Sequence, residues 1–248
     1  VFLPPTAPMI EAAEMAKPDW KPDCLMPKKH RNFQPPAYGL DNFGDLFTNR
    51  QLLTLNTFCD LLSEVRQRVF SDAAAASSLT YENDRSLEEG GSGPKAYADS
   101  VSLLLAFVID RCADFSNTTT RWVAGNQKVM NLFAKQAVGM TWDFPEANIL
   151  ADSVGGFSTI VKYIASCLVK IKPTSVGFVR QADAQSQNLT LKKTVSTDPP
   201  YYGNIAYGDL SDFFYVWLRK NLKSIFPTLL STIAIPKKEE LIAAPHRQ

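Results

Sequence analysis

The stretch Leu189-Thr-Leu-Lys192-Lys193-Thr-Val-Ser-Thr197-Asp198-Pro199-Pro200-Tyr201-Tyr202-Gly-Asn-Ile-Ala-Tyr207-Gly-Asp209 carries the fold reading of this chain. Leu189 to Thr197 reads as a strand, and Asp198 to Tyr201 as its exit loop. Asp209 to about Phe226 reads as a helix, because Leu210, Phe213, Phe214, Trp217, Leu218, Leu222 and Ile225 recur at spacings of three and four. Asp209 or Ser211 is the expected cap. Upstream, Val176-Gly-Phe-Val179 reads as a first short strand with Gln181-Ala-Asp183-Ala as its exit. Strand, loop, strand, acidic proline loop and helix together make residues 173–248 an α/β segment.

The word Asp198-Pro199-Pro200-Tyr201 is the informative one, since it is expected by chance in about one chain of this length in a thousand. Two successive prolines fix φ twice and remove two N–H donors, so the loop is stiff and its carbonyls point outward unpaired. A carboxylate and the Pro199 carbonyl are then held side by side, both acceptors, with a tyrosine ring beside them. That arrangement suits an exocyclic amino group on a base: the two acceptors take its N–H protons and free the nitrogen lone pair. Tyr201 would stack on the base once it has left the helix. The plain alternative is a rigid proline turn.

Before this segment the pattern is helical. Residues 1–44 hold eight of the sixteen prolines and read as an extended arm lying over something else. Leu46, Phe47, Leu52, Leu53, Leu55, Phe58, Leu61, Leu62, Val65 and Val69 mark a long amphipathic helix from about Asp45 to Phe70. Residues 71–94, ending Gly90-Gly91-Ser92-Gly93-Pro94, read as a mobile surface loop whose glycines follow no strand and cradle no phosphate. A helix from Lys95 to about Phe115 is apolar around most of its circumference, which places it centrally in a bundle. A shorter helix is read over Gln127 to Val138, and Gly155-Gly156 opens another from Phe157 to about Lys170.

Composition narrows the class. The chain has 248 residues, 45% of them hydrophobic and 21% charged, a globular rather than a disordered or coiled-coil balance. Net charge is +1, but residues 1–159 hold 14 Lys/Arg against 19 Asp/Glu whereas residues 160–248 hold 12 against 6. A polyanion should therefore meet the C-terminal third. Cys24, Cys59, Cys112 and Cys167 form no C-x-x-C, and His30 and His246 complete no zinc set, so reduced structural thiols in a cytoplasmic protein are the reading. The apolar run around Val101 to Ile109 is far short of the ~20 residues that span a bilayer. The proline-broken start lacks a basic signal region, and its first residue, Val1, reads as the start of a processed, trimmed or excised chain. The sequons at Asn117 and Asn188 read as chance matches. Arg111, Asp114, Arg121 and Trp122 read either as a polar surface for DNA or, more plainly, as a packed ion-pair cluster.

Thr197-Asp-Pro-Pro-Tyr-Tyr202, followed by Gly-Asn-Ile-Ala-Tyr207-Gly-Asp209-Leu-Ser-Asp212-Phe-Phe-Tyr-Val-Trp217-Leu, resembles the amino-methyltransferase loop of a family of large adenine-specific DNA methylases. Tyr38-Gly, Gly44-Asp-Leu-Phe-Thr-Asn-Arg50-Gln-Leu and Trp142-Asp143-Phe-Pro-Glu146-Ala-Asn148 are similar to further segments of that family, so the likeness runs from about residue 30 onward. It implies an α/β fold, a Rossmann-like methyltransferase core portion with a large, mainly helical insertion: residues 1–44 the arm, 45–172 the helical region and possible DNA-recognition insertion, 173–248 the core portion. It implies methyl transfer from S-adenosylmethionine to the amino nitrogen of adenine, or less readily of cytosine, in DNA.

In that reading Asp198, Pro199, Pro200 and Tyr201 are catalytic, and Asp183 sits where related enzymes place an acid near the cofactor's adenine, a solvated turn aspartate being the alternative. Lys192 and Lys193 contact DNA phosphates, with Arg219, Lys220, Lys223, Lys237 and Lys238 as further flanking cations. The family's Phe-x-Gly-x-Gly cofactor loop is absent from the twelve glycines; Gly155-Gly156 comes nearest and reads mainly as a helix start. The chain therefore reads as a partial enzyme, a middle piece whose partner would be an N-terminal cofactor-binding part of the same protein. Weak or no binding of S-adenosylmethionine by this chain is expected. The competing reading is a non-enzymatic helical nucleic-acid-binding or protein-interaction module, a remnant of such an enzyme.

Overall fold

The computed structural model describes residues 3–76, 83–175, 177, 179, 182–183, 185–198, 201–238, 240 and 242–243. In chain order the elements are α1 (Ala7–Glu14), α2 (Asn49–Ala75), α3 (Pro94–Phe115), the strands β1 (Arg121–Val123) and β2 (Lys128–Met130), α4 (Phe157–Lys170) and α5 (Tyr207–Leu222), with short 3-10 turns at Pro35–Tyr38, Phe43–Leu46, Ala124–Asn126 and Leu132–Ala134. Among the described residues no helix is long and apolar enough to cross a membrane.

Helix α2 starts at a capping box: Thr48 Oγ1 accepts from Gln51 N at 3.2 Å and Gln51 Oε1 accepts from Thr48 N at 2.8 Å. It runs on past Phe70 to Ala75, because Ser71 to Ala75 contain no breaker. Helix α3 begins with Pro94 at its first turn, where the missing N–H costs nothing. Its alanines 96, 98, 106 and 113 are buried, letting α2, α4 and α5 all approach it. The loop between α2 and α3 is tied down in its described part: Leu87 N donates to Asp99 Oδ2 at 3.0 Å, and the same carboxylate pairs with Arg66 at 2.6 Å.

Helix α5 carries the centre of the core. Trp217 and Phe213 are fully buried; Phe213 stacks on Phe47 at 5.9 Å and meets Phe43 edge-on at 6.0 Å, while Trp217 meets Phe47 and Trp20 edge-on. Such pairs add about 0.5–1.5 kcal/mol each beyond area burial. The arm supplies part of this packing. It holds one helix, α1, and then runs extended, with Phe43 N donating to Cys24 O and Gly44 N to Pro22 O, so that Met26, Phe33, Phe43 and Leu46 join a single cluster reaching Leu230. C-terminal to α5 the chain folds back over that helix: Asp212 accepts from Ile235 N at 2.8 Å and pairs with Lys237 at 2.5 Å, and Tyr215 Oη donates to Thr232 O.

Two readings of the sequence are corrected. The helix over Gln127 to Val138 is instead strand β2, paired antiparallel with β1 (Trp122 opposite Val129), followed by a 3-10 turn. The turn Ala124-Gly-Asn126 with Gln127 at φ +47° reverses the chain, and the Phe133 N–H that a helix would use internally is donated to the buried Asp114 carboxylate at 3.0 Å. The strand over Leu189 to Thr197 is a pair of turns, Leu191 N to Asn188 O and Lys193 N to Thr190 O, with Lys192 at φ +59°. Leu191 is 71% exposed and no neighbouring strand is hydrogen-bonded to it among the described residues; an unpaired strand leaves its backbone groups to water and gains nothing over local turns. The other strand reading, Val176 to Val179, falls largely outside the described residues.

Candidate functional site

The loop at Asp198 stands out from the bundle and re-enters it at Ile205, Ala206 and the first turn of α5. Asp198 is exposed, as are the rings of Tyr201 (72%) and Tyr202 (85%). Tyr201 Oη donates to Asp198 Oδ1 at 3.0 Å, closing the loop across Pro199 and Pro200, which lie outside the described residues. On the far side Asn204 N donates to Tyr201 O, Tyr202 adopts φ +56°, and the Arg31 guanidinium donates to both oxygens of Asn204, anchoring the loop to the arm. The first turn of α5 has neither expected cap: Ala206 holds that position with no side-chain bond, and Asp209 sits three residues on, within reach of the helix dipole.

Asp183 is partly exposed and occupied locally. Its carboxylate accepts from Gln185 N at 3.0 Å and Ser186 Oγ at 2.8 Å, bonds that hold it below the usual carboxylate range. Lys192 and Lys193 are exposed on the turn that replaces the expected strand. Among the described residues no hydrogen bond or ion pair joins Asp183, Lys192 or Lys193 to the Asp198 loop, so the structure brings together Asp198 and Tyr201 and shows no link from the other three to them.

Of the four residues weighed as a polar surface, two form a packed ion pair. Asp114, buried on α3, pairs with Arg111 and accepts from Asn131 Nδ2 at 2.8 Å and Phe133 N; burial pushes its carboxyl up and these donors pull it back. Arg121 and Trp122 instead stand exposed on β1. Arg121 lines a cleft of about 530 Å3 between the arm, the hairpin and residues 139–143, together with Lys135 and Trp142. No sequence signal joined these residues, which come from segments far apart in the chain.

The thiols of Cys24, Cys59 and Cys112 are poor nucleophiles. Burial, with Asp212 adding to it, pushes Cys24 up to about 11, and burial pushes Cys59 and Cys112 up to about 12. Among the described residues no group of three or more His, Cys, Asp or Glu is placed to hold a metal ion. No protein family, curated protein or solved structure matches this chain.

Proposed function

We propose that this chain is the target-base part of an S-adenosylmethionine-dependent DNA amino-methyltransferase, acting on N6 of adenine in preference to N4 of cytosine, and that it is a partial enzyme with a Rossmann-like core portion. The observation that carries the reading is the solvent-facing pair of Asp198 and Tyr201 on a loop anchored to the arm through Asn204. One carboxylate oxygen is held by the phenol and the other is open, so an incoming amine can donate to Oδ2 without breaking the loop. Accepting that N–H draws the amino nitrogen away from planarity and frees its lone pair. Tyr201, with most of its ring exposed, offers a stacking face for an extruded base. Positioning of this kind, more than a strong base, is what methyl transfer needs.

The two positions read as candidates for the methyl donor do not fit it. At Gly155, φ is +86° and a Cβ would meet the Phe115 ring at 3.0 Å, so the Gly155-Gly156 turn is filled by protein; Asp183 spends its acceptors on its own turn. We assign the donor's site to another part of the protein and the amine to this chain. DNA is the partner, and a cytoplasmic location follows from that role.

A binding experiment tests the reading without the donor. Duplexes carrying adenine, or purine lacking the 6-amino group, opposite an abasic site are compared. The chain should prefer adenine by about 10- to 100-fold, the range expected for a hydrogen bond to a charged acceptor, and Asp198→Ala should erase that preference. Equal binding of the two duplexes by the wild-type chain refutes the assignment. Missing donor residues favour one second reading, a non-enzymatic nucleic-acid-binding module, which predicts binding indifferent to the amino group.

A further inference from the structure

We infer that the cleft between the arm and the β1–β2 hairpin binds a nucleotide unit of single-stranded nucleic acid, its base on Trp142 and its phosphate on Arg121 and Lys135. The cleft, at about 530 Å3, is within the range of small-ligand sites. Trp142 is 76% exposed; its indole meets Tyr38 edge-on at 5.0 Å, which leaves one broad face open. An exposed indole fixed by a second aromatic ring is a stacking shelf. Arg121 and Lys135 line the same cleft, are exposed, and have no ion-pair partner among the described residues. Two unpaired cations beside a flat aromatic surface match a phosphodiester next to a base. Asp143 is the single acid of the lining and supplies an acceptor for an exocyclic amine.

The shelf is also built rigidly. Met140 N donates to Gln34 Oε1 at 2.9 Å and Thr141 Oγ1 to Thr119 O at 3.1 Å, pinning the two residues before Trp142. Gln34 N in turn donates to Val138 O and Val138 N to Asn32 O, which ties the arm to the loop before the shelf. On the hairpin side Asn131 is fixed by the buried Asp114 carboxylate. Little ordering remains to oppose binding.

The choice of polymer rests on the DNA reading above, whereas the cleft's chemistry stands without methyl transfer. Filter binding of short oligo-dA and oligo-dT across a salt series, with equilibrium dialysis of dAMP, tests it on the whole chain. Trp142→Ala should weaken binding about 5- to 100-fold while Trp142→Phe keeps most of it. Arg121→Ala and Lys135→Ala should each lower the salt slope by about 0.7. Oligo-dT has no exocyclic amine for Asp198 to accept, so its dependence on Trp142 should match that of oligo-dA, and failure of the amine assignment leaves this result standing. Binding of dAMP without the oligonucleotides, with the same Trp142 dependence, identifies a free nucleotide as the ligand of the same cleft. Wild-type affinity in Trp142→Ala, competition by polyglutamate as strong as by DNA, or no binding of any probe overturns the inference.

Discussion

Asp110 lies on α3 against the core, 7% exposed, and its Oδ1 has no hydrogen-bond partner. Burial alone pushes this carboxyl well above its ordinary value of 3.8. Among the described residues Asp110 has no ion-pair partner, so nothing offsets its charge. Asp110→Asn removes that charge at nearly constant volume. A buried polar atom without a partner costs about 1–3 kcal/mol, more when charged, so Asn should stabilise the chain by about 1–3 kcal/mol near neutral pH. That corresponds to about 2–4 °C in Tm per kcal/mol for a chain of this size.

The sign of the pH dependence follows from proton binding. With its carboxyl raised, the folded wild type holds a proton that the unfolded chain releases above 3.8. The wild type therefore loses stability as pH rises from 3.8 through the folded-state value, and the advantage of Asn grows over that same interval and vanishes below it. Asp114 and Asp212 are also raised by burial, but they titrate alike in both proteins and cancel in the difference. Urea unfolding of the two proteins over about pH 4 to about pH 8 measures the curve. Equal stabilities at every pH, or a variant that is less stable near neutrality, would show that Asp110 is partnered and the reasoning wrong.

Three further outcomes are expected. Asp99→Ala removes the carboxylate that joins α2, α3 and the loop at Leu87; since Arg66 is about a third exposed and can be rehydrated, the loss should be about 2–3 kcal/mol by thermal or urea unfolding rather than the full cost of a sealed pair. Tyr201→Phe frees Asp198 Oδ1 while keeping the ring, so the preference for adenine over unaminated purine should persist or rise, whereas Tyr201→Ala should weaken binding to the extruded base about 5- to 100-fold; equal effects of the two would assign Tyr201 to loop closure instead of stacking. Lys192→Ala with Lys193→Ala should lower the salt slope of duplex binding by about two, and an unchanged slope would remove this turn from the DNA interface.

Helices α2, α3, α4 and α5 were legible because each repeats its apolar positions over several turns, enough for one face to be unambiguous. The hairpin was not, because Val129, Leu132 and Phe133 are spaced as they would be on a helix, and the deciding partner of the Phe133 N–H is Asp114, nineteen residues upstream on another element. Leu189 to Thr197 has the β-branched and alternating look of a strand, but a strand exists only with a neighbour, which sequence spacing does not display. The contact between Asp198 and Tyr201 was legible because it is local, three residues apart. The cleft at Trp142 was hidden for the opposite reason, being assembled from Gln34, the hairpin and Lys135 through contacts across about a hundred residues.

The four tryptophans divide by environment. Trp217 is sealed in the core, and Trp20, half-buried against it, has the Lys220 ammonium 4.8 Å from its ring centre; Trp122 and Trp142 are 53% and 76% exposed on the hairpin and the cleft rim. Intrinsic emission should accordingly contain two components, a blue one inaccessible to iodide and a red one quenched by it. Unfolding shifts the first and leaves the second almost still, while anything that covers the cleft protects the second without touching the first, so one unlabelled sample distinguishes loss of the core from occupation of the surface.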